Sequence, residues 1–246
     1  MSGLPDGLHR IARLETEFRP APWDFATREA ARIDAHWAQA RAEKPALFDG
    51  KVLLMREPEI FSAPGGDMLR GAFFETDFRN FHAWLAFGAP GGGAFNCFSM
   101  AALRTSDGAF LLGEMAPHTM NAGKIYFAAG TPDRGDIFDQ NVDLAASVAR
   151  EMMEETGFAP DEAPAGPQWC VVVSGARIAC IQQRFLALTA HEALARAADF
   201  LAHEREPELL RLHAVFSPQG IDPERMPDFI KIYLRDVFAA WSQCGQ

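Results

Sequence analysis

Hydrophobic and polar positions alternate along this chain with two periods, one typical of helices and one typical of strands. Residues 25–46 carry apolar side chains at helical spacing up to the stop signal Pro45, which predicts an amphipathic helix. Residues 51–55 predict a strand, and residues 68–87, rich in Phe and Trp, predict a strand followed by a helix. The glycine-rich residues 88–93 then predict a flexible joint.

Beyond this joint, apolar runs are separated by turn sequences such as Thr105-Ser-Asp-Gly108 and Ser174-Gly175, which predict hairpins. Hairpins without repeated βαβ units favour a mixed sheet covered by helices, and hence the α/β class. The joint predicts a boundary between an N-terminal α+β extension, residues 1–93, and a main domain, residues 94–246. We predict strands at residues 95–103, 109–115, 125–127, 169–173 and 177–188, and helices at 142–156, 191–204 and 226–241.

Charge limits the classes of partner. The 246 residues carry a formal net charge of -10, which argues against nonspecific nucleic-acid binding because phosphate backbones are held by clustered Lys and Arg. An acidic protein that handles phosphates needs a cation.

Targeting and redox signals point to a cytoplasmic protein. The N-terminus has no apolar segment of signal-peptide length, and no run approaches the roughly 20 apolar residues of a membrane span. The four cysteines have no paired spacing typical of zinc ligands, so we expect free thiols in a reducing compartment. We therefore expect no membrane partner.

The predicted helix at residues 142–156 carries an apolar stripe and an acidic face. Leu144, Val148 and Met152 recur every four residues, and Gly157 is a typical helix stop. Residues 151, 154 and 155 are all glutamates, which places three carboxylates within an arc of roughly 100°. Their repulsion favours a bound divalent ion, since Mg²⁺ prefers oxygen ligands. An ordinary solvated face is the alternative for an isolated acidic triplet.

The full string Arg150-Glu-Met-Met-Glu-Glu-Thr-Gly-Phe158 resembles the helical half of the Nudix box. Gly130, followed after five residues by Asp136, resembles the other half. Ala128 and Ala129 replace the usual Pro-Gly, Asp136 replaces Glu, and thirteen residues rather than seven precede Arg150, a six-residue insertion that a loop accommodates. An alternative alignment without the insertion places Val142 at the acidic position; the glycine spacing favours Asp136.

The resemblance implies a Nudix-type α/β/α sandwich and a metal site. It assigns Glu151, Glu154 and Glu155 as metal-binding acids, with Glu151 as a candidate base and a backbone carbonyl near Gly130 completing the metal shell. Arg150 is expected to orient a glutamate by ion pairing. The expected cofactor is Mg²⁺, with Mn²⁺ as a substitute.

Other residues are weaker candidates, each more often found as an ordinary surface or core residue. Four later glutamates are candidates for a base outside the box. The aromatic run at residues 73–84 is a candidate for stacking a nucleobase or closing the site. The candidate bases are Glu192, Glu204, Glu206 and Glu208, and the candidate phosphate-binding cations are Arg104, Lys124, Arg134, Arg177 and Arg184.

The leading hypothesis is a Mg²⁺-dependent hydrolase that splits the diphosphate linkage of a small nucleoside diphosphate derivative into a nucleoside monophosphate and a second phosphorylated product. Sugar nucleotides, ADP-ribose-like compounds, dinucleotides and coenzyme A all remain open as substrates, and a homodimer is left open. The rival hypothesis is an inactive Nudix-fold module that binds a nucleotide for regulation. Retention of the three helix glutamates favours the enzyme.

Overall fold

The computed structural model describes residues 4–45, 47–91 and 93–244. The described chain contains six α-helices: α1 Asp24–Arg28, α2 Ala30–Glu43, α3 Phe78–Ala86, α4 Leu144–Thr156, α5 Ala190–His203 and α6 Asp228–Cys244. It also contains thirteen strands: β1 Gly7–Ile11, β2 Arg13–Phe18, β3 Lys51–Ala63, β4 Gly66–Asp77, β5 Asn96–Arg104, β6 Phe110–Met115, β7 Ile125–Tyr126, β8 Ala128–Gly130, β9 Ile137–Phe138, β10 Asn141–Val142, β11 Ala165–Ser174, β12 Arg177–Phe185 and β13 Leu209–Val215. None of the described helices is both long and apolar enough to span a bilayer.

Eight strands form the main sheet, in the order β1-β11-β12-β5-β6-β13, with β7 beside β6 and β8 beside β5. Strands β12 and β5 run parallel, whereas the other pairs are antiparallel. Helix α4 buries Val148 and Met152 in one apolar cluster. Helix α6 buries Tyr233 and Leu234 in another cluster, which contains alternate residues of the same strands. The predicted mixed sheet between helices is therefore confirmed.

A second sheet, here called the N-terminal sheet, has the order β3-β4-β2-β10-β9. Helices α1 to α3 cover it through a cluster that includes Phe25, Ile33 and Trp84. Strand β1 nevertheless pairs with β11 of the main sheet, and Leu53 and Phe73 share the apolar cluster that contains Val148. The two regions are therefore joined by strand pairing and by shared core residues. The predicted domain boundary at residue 93 stays a prediction.

The helix predicted at residues 25–46 is observed as α1 and α2, which Glu29 separates; Ala46 lies outside the described residues, as does Gly92 of the predicted joint. The strand predicted at 51–55 extends to Ala63 as β3. Strands β1, β2 and β13 were not predicted. In β2, charged side chains outnumber apolar ones. The sequence therefore lacks the apolar alternation that predicts a strand, although β2 pairs with β4 and β10.

The segment in which we predict a six-residue insertion contains the hairpin β9–β10. Its turn residues Asp139 and Gln140 both have positive φ, 47° and 66°, as a tight two-residue hairpin turn requires. Asn141 pairs with Glu17 of β2, and the backbone N–H of Phe18 donates to the carbonyl of Gln140 at 2.7 Å. The insertion thus anchors the segment before α4 to the N-terminal sheet.

Candidate active site

Helix α4 positions the candidate acids. Asp143 caps its first turn by accepting hydrogen bonds from the N–H groups of residues 145 and 146 at 3.0 and 2.9 Å. Gly157 ends it with φ of 74°, a conformation that favours glycine. The stripe Leu144, Val148 and Met152 is buried against the main sheet. This packing directs the last turn of α4, with its glutamates, towards β8.

Glu155 is buried at only 5% exposure. Its Oε1 accepts a hydrogen bond from the N–H of Ala129 at 3.3 Å, whereas its Oε2 is buried without a hydrogen-bond partner among the described residues. Burial, and then the charges of Glu151 and Glu208, raise the pKa of this carboxyl well above its ordinary value. Among the described residues, no positively charged side chain forms an ion pair with this buried carboxyl.

Glu151 lies directly against Gly130 of β8. A methyl group added at residue 130 would overlap its carboxylate, so only glycine leaves room for the side chain in this position. Burial raises the pKa of Glu151 to about 7; Glu154 and Glu208 raise it further, and the charge of Arg150 opposes them. Two carboxyls of α4 are therefore unfavourably charged at neutral pH.

Arg150 joins the two halves of the predicted box. Its guanidinium donates to both oxygens of Asp136 at 3.1 and 3.2 Å, and it pairs with Glu151 at 2.9 Å and Glu154 at 3.2 Å. Asp136 is only 2% exposed. Val142, the residue that the alternative alignment would place at the acidic position, lies in the apolar core. The contacts with Arg150 therefore favour Asp136 at that position.

A cavity of about 130 Å³, here called the glutamate cavity, brings together acids that are distant in sequence. Glu204, Glu206 and Glu208, which lie between α5 and β13, face the three glutamates of α4 across it. Glu192 is not part of it, because this residue closes a capping box with Thr189 at the start of α5. Three of the four candidate bases thus lie beside the box glutamates.

The donors in this cavity suit a hard divalent cation, because they are carboxylate oxygens and one of them, Oε2 of Glu155, is buried and unpaired. Within residues 4–45, 47–91 and 93–244, however, no three acidic, His or Cys side chains converge as a finished metal centre. Arg150 holds Glu151 and Glu154 by ion pairs. The lining residues have the chemistry of cation ligands. Their side chains must rotate before several of them can bind one ion.

The candidate phosphate-binding cations have different positions. Arg134 pairs with Glu75, Arg104 stacks on Trp241, and Arg184 is buried and donates to a backbone carbonyl at 3.4 Å. Lys124 and Arg177 instead line a second cavity next to Gly130, together with Lys231, Asn96 and Tyr126, which sequence reasoning did not single out. The sequence around an isolated residue of these types does not indicate that it lines a cavity.

The raised pKa of Glu151 predicts how the stability of the metal-free protein depends on pH. A carboxyl with a folded pKa of about 7, against an ordinary 4.5, keeps its proton in the folded state where the unfolded state has lost it. The free energy of unfolding should fall between those values as pH rises, by up to about 3 kcal/mol for this group. Urea unfolding of wild type and Glu151→Gln at about pH 5 and about pH 8 measures this. An equal pH dependence in both proteins would refute it.

The buried pair of Asp136 and Arg150 predicts a second effect on stability. Asp136→Ala removes the two carboxylate oxygens that accept from Nη2 of Arg150, and with them the acceptor for the N–H of Asp133. We expect a loss of about 3 kcal/mol in urea unfolding, at the lower end for a buried pair because Arg150 is partly exposed. The exposed Asp161, changed to Ala, is the matched control. A loss below about 1 kcal/mol for Asp136→Ala would contradict this account.

Known proteins resemble this chain in structure only. No protein-family model matches it, and no curated protein matches its sequence. Similar solved structures include the M. smegmatis Nudix hydrolase RenU, at 12% identity and TM-score 0.41 over 62% of this chain and 91% of that one. A mutT/nudix family protein from Listeria innocua has 19% identity and TM-score 0.41 over 60% and 94%. The NUDIX domain of Shewanella oneidensis NrtR, solved with ADP ribose, has 15% identity and TM-score 0.39 over 67% and 98%. All three carry the name of the family that residues 130–158 resemble.

Proposed function

We propose that the protein is a metal-dependent hydrolase that splits the diphosphate linkage of a nucleoside diphosphate derivative, giving a nucleoside monophosphate and a second phosphorylated product. The observation that carries this proposal is the buried Oε2 of Glu155, which has no hydrogen-bond partner in the described part of the chain and lies in a cavity lined by five further glutamates. Such a concentration of carboxylates is costly for an isolated protein and favourable around a divalent cation.

In this proposal Glu151, Glu154, Glu155 and the carbonyl of Gly130 hold Mg²⁺ or, in its place, Mn²⁺. The cation supplies positive charge that stabilises phosphate oxygens and makes water a stronger nucleophile. Arg150 orients the carboxylates, because it already contacts Glu151 and Glu154 while Asp136 fixes its own position. Glu151 is the proposed proton acceptor.

Glu208 is a second candidate for the proton acceptor. Its charge acts on both Glu151 and Glu155, as the raised pKa values of those carboxyls reflect. It is exposed at the cavity, so a water molecule can reach it. A base must lie within hydrogen-bond reach of the water that it activates. Glu204 and Glu206 line the same cavity and share this position.

The test is turnover on a panel of nucleoside diphosphate sugars, ADP-ribose, dinucleoside polyphosphates and coenzyme A, with Mg²⁺, Mn²⁺ or a chelator. We expect hydrolysis of at least one member that requires the metal and that Glu154→Gln and Glu155→Gln strongly reduce. Glu43→Gln is the matched control, since Glu43 is exposed on α2 outside the glutamate cavity. No turnover of any panel member would refute the proposal, and full activity of both variants would refute the site.

One observation favours the rival function, a nucleotide-binding regulatory module. In the described part of the chain the box glutamates do not converge into a metal centre, and two of them are held by Arg150. A module of this kind would bind a nucleotide without hydrolysing it, so the same panel separates the two functions. The cytoplasmic location, the absence of nucleic-acid and membrane partners and the homodimer stay predictions.

A further inference from the structure

A second cavity of about 450 Å³, here called the aromatic cavity, adjoins the glutamate cavity through strand β8. Ala129 and Gly130 line the aromatic cavity, while the N–H of Ala129 donates to Glu155 and Gly130 lies against Glu151. Tyr126 also lines it. Burial, and then the charges of Glu155 and Glu208, raise the pKa of the Tyr126 phenol. A molecule in this cavity would therefore lie next to the candidate metal site.

Aromatic and apolar side chains form about half of the lining of this cavity, and polar or charged ones form the rest. Phe81 and Leu85 of α3 line it together with Phe98, Tyr126 and Phe229. The rings of Phe98 and Phe229 pack edge to face with centroids 5.3 Å apart. Small-molecule sites are typically about 300–1,000 Å³ and combine apolar and aromatic side chains with polar groups that orient the ligand. The cavity therefore has the size and the walls of a site for a planar ring.

Three cations also line the cavity: Lys124, Arg177 and Lys231. Lys231 pairs with Asp228 at 2.8 Å, and Lys124 donates to the carbonyl of Glu224 at 3.1 Å. Arg177 forms no ion pair within 4.0 Å among the residues for which side chains are described. Arg binds phosphate oxygens through paired hydrogen bonds, so this cavity suits an aromatic molecule that carries phosphate.

Asn96, at the start of β5, lines the same cavity and points to a ligand independently of the apolar walls. It is 8% exposed, and its Oδ1 is buried without a hydrogen-bond partner in the described part of the chain. Buried polar groups in proteins are normally paired, and an unpaired one costs stability. A ligand with an N–H group at this place would supply the missing donor.

We propose that the aromatic cavity binds the base of a nucleotide substrate, with α3 as one wall and the amide of Asn96 accepting a hydrogen bond from an N–H of the base. The proposal rests on the proposed hydrolysis of a nucleoside diphosphate derivative and adds a specific contact with its base, since each common nucleobase carries an N–H donor. It also assigns a role to the N-terminal region, which selects the substrate through Phe81 and Leu85. The diphosphate would then extend past Gly130 towards the glutamates.

The first test fills the cavity. Binding of AMP, GMP, CMP, UMP and ribose 5-phosphate to the full chain is measured by calorimetry without added metal, for wild type, Leu85→Trp and Leu210→Trp. Leu210 is exposed on β13, outside the cavity, and is the matched control. We expect at least one nucleoside monophosphate to bind about tenfold or more tightly than ribose 5-phosphate, and only Leu85→Trp to remove this difference.

The second test removes the unpaired acceptor. Asn96→Leu deletes an amide whose Oδ1 has no hydrogen-bond partner among the described residues, so its melting temperature should be unchanged or higher. The preferred nucleoside monophosphate should bind about tenfold more weakly. A purely structural Asn96 would instead lower the melting temperature and leave affinity unchanged. The proposal is overturned if no nucleoside monophosphate binds more tightly than ribose 5-phosphate, or if affinity survives both variants.

The binding measurements separate this proposal from the proposed function, because they require no turnover. If monophosphates bind as expected but no diphosphate is hydrolysed, the aromatic cavity stands and the hydrolase fails. If diphosphates are hydrolysed in a manner sensitive to Glu155→Gln while Leu85→Trp and Asn96→Leu leave base affinity unchanged, the hydrolase stands and the base site fails.

Discussion

Glu155→Gln should lower kcat while raising the stability of the metal-free protein. The carboxyl of Glu155 is buried beside Glu151, and its Oε2 has no hydrogen-bond partner among the described residues. Replacing its charge with an amide removes repulsion in the empty site and also removes a proposed metal ligand. We expect kcat to fall about a hundredfold or more with the best panel substrate, and the melting temperature without metal to rise.

The expected decrease in kcat and increase in melting temperature together distinguish a metal ligand from other roles of Glu155. An ordinary structural role for Glu155 would lower stability and activity together, whereas a solvated surface role would change neither. Glu43→Gln applies the same chemical change to an exposed glutamate of α2 and should leave both unchanged. Steady-state kinetics and calorimetric unfolding in the presence of a chelator measure the two quantities. A Glu155→Gln protein with kcat within about threefold of wild type would exclude the residue from the metal site.

Gly130→Ala should abolish most activity with little loss of stability. A methyl group at residue 130 would overlap the carboxylate of Glu151, to which the three nearest atoms all belong. The flexible end of a glutamate can rotate away at small cost, so the fold survives while Glu151 leaves its place beside β8. A misplacement of this kind by about 1 Å can reduce the rate about a hundredfold, and we expect kcat to fall by that order.

The matched control is Gly91→Ala, since no atom of the described residues beyond its chain neighbours lies within 4 Å of the added methyl group, and Gly91 does not have positive φ. It should leave kcat and melting temperature unchanged. The Gly130→Ala protein should unfold within about 1 kcal/mol of wild type in urea. If it keeps wild-type kcat, the position of the Glu151 carboxylate against Gly130 does not matter for the reaction.

The sequence alone predicted the parts of this site whose signals are local. Helix α4 follows from the four-residue recurrence of Leu144, Val148 and Met152 and from Gly157 as its stop. The acidic triplet follows from the same helical geometry. The mixed sheet was predictable because its hairpins have typical turn sequences.

The other parts depend on contacts between residues far apart in the chain. The pairing of Asn141 with Glu17 joins the insertion to the N-terminal sheet. Neither residue lies in a sequence pattern that predicts this pairing. Glu208 reaches the cavity of Glu151 only because β13 pairs with β6 at the edge of the main sheet. Likewise, α3 lines a cavity beside Gly130, although residues 1–93 were predicted as a separate extension of unassigned role.

The central claim is that water attacks a phosphorus atom of a diphosphate in a reaction that depends on a divalent cation and on the glutamates of α4. The most direct measurement is hydrolysis of the best panel substrate in water labelled with ¹⁸O, followed by mass spectrometry of both products. We expect one labelled oxygen on a phosphate group of one product with Mg²⁺ present, no product with a chelator, and about a hundredfold less product with Glu155→Gln. Label on a carbon-bound oxygen, or equal product formation without metal, would contradict the claim.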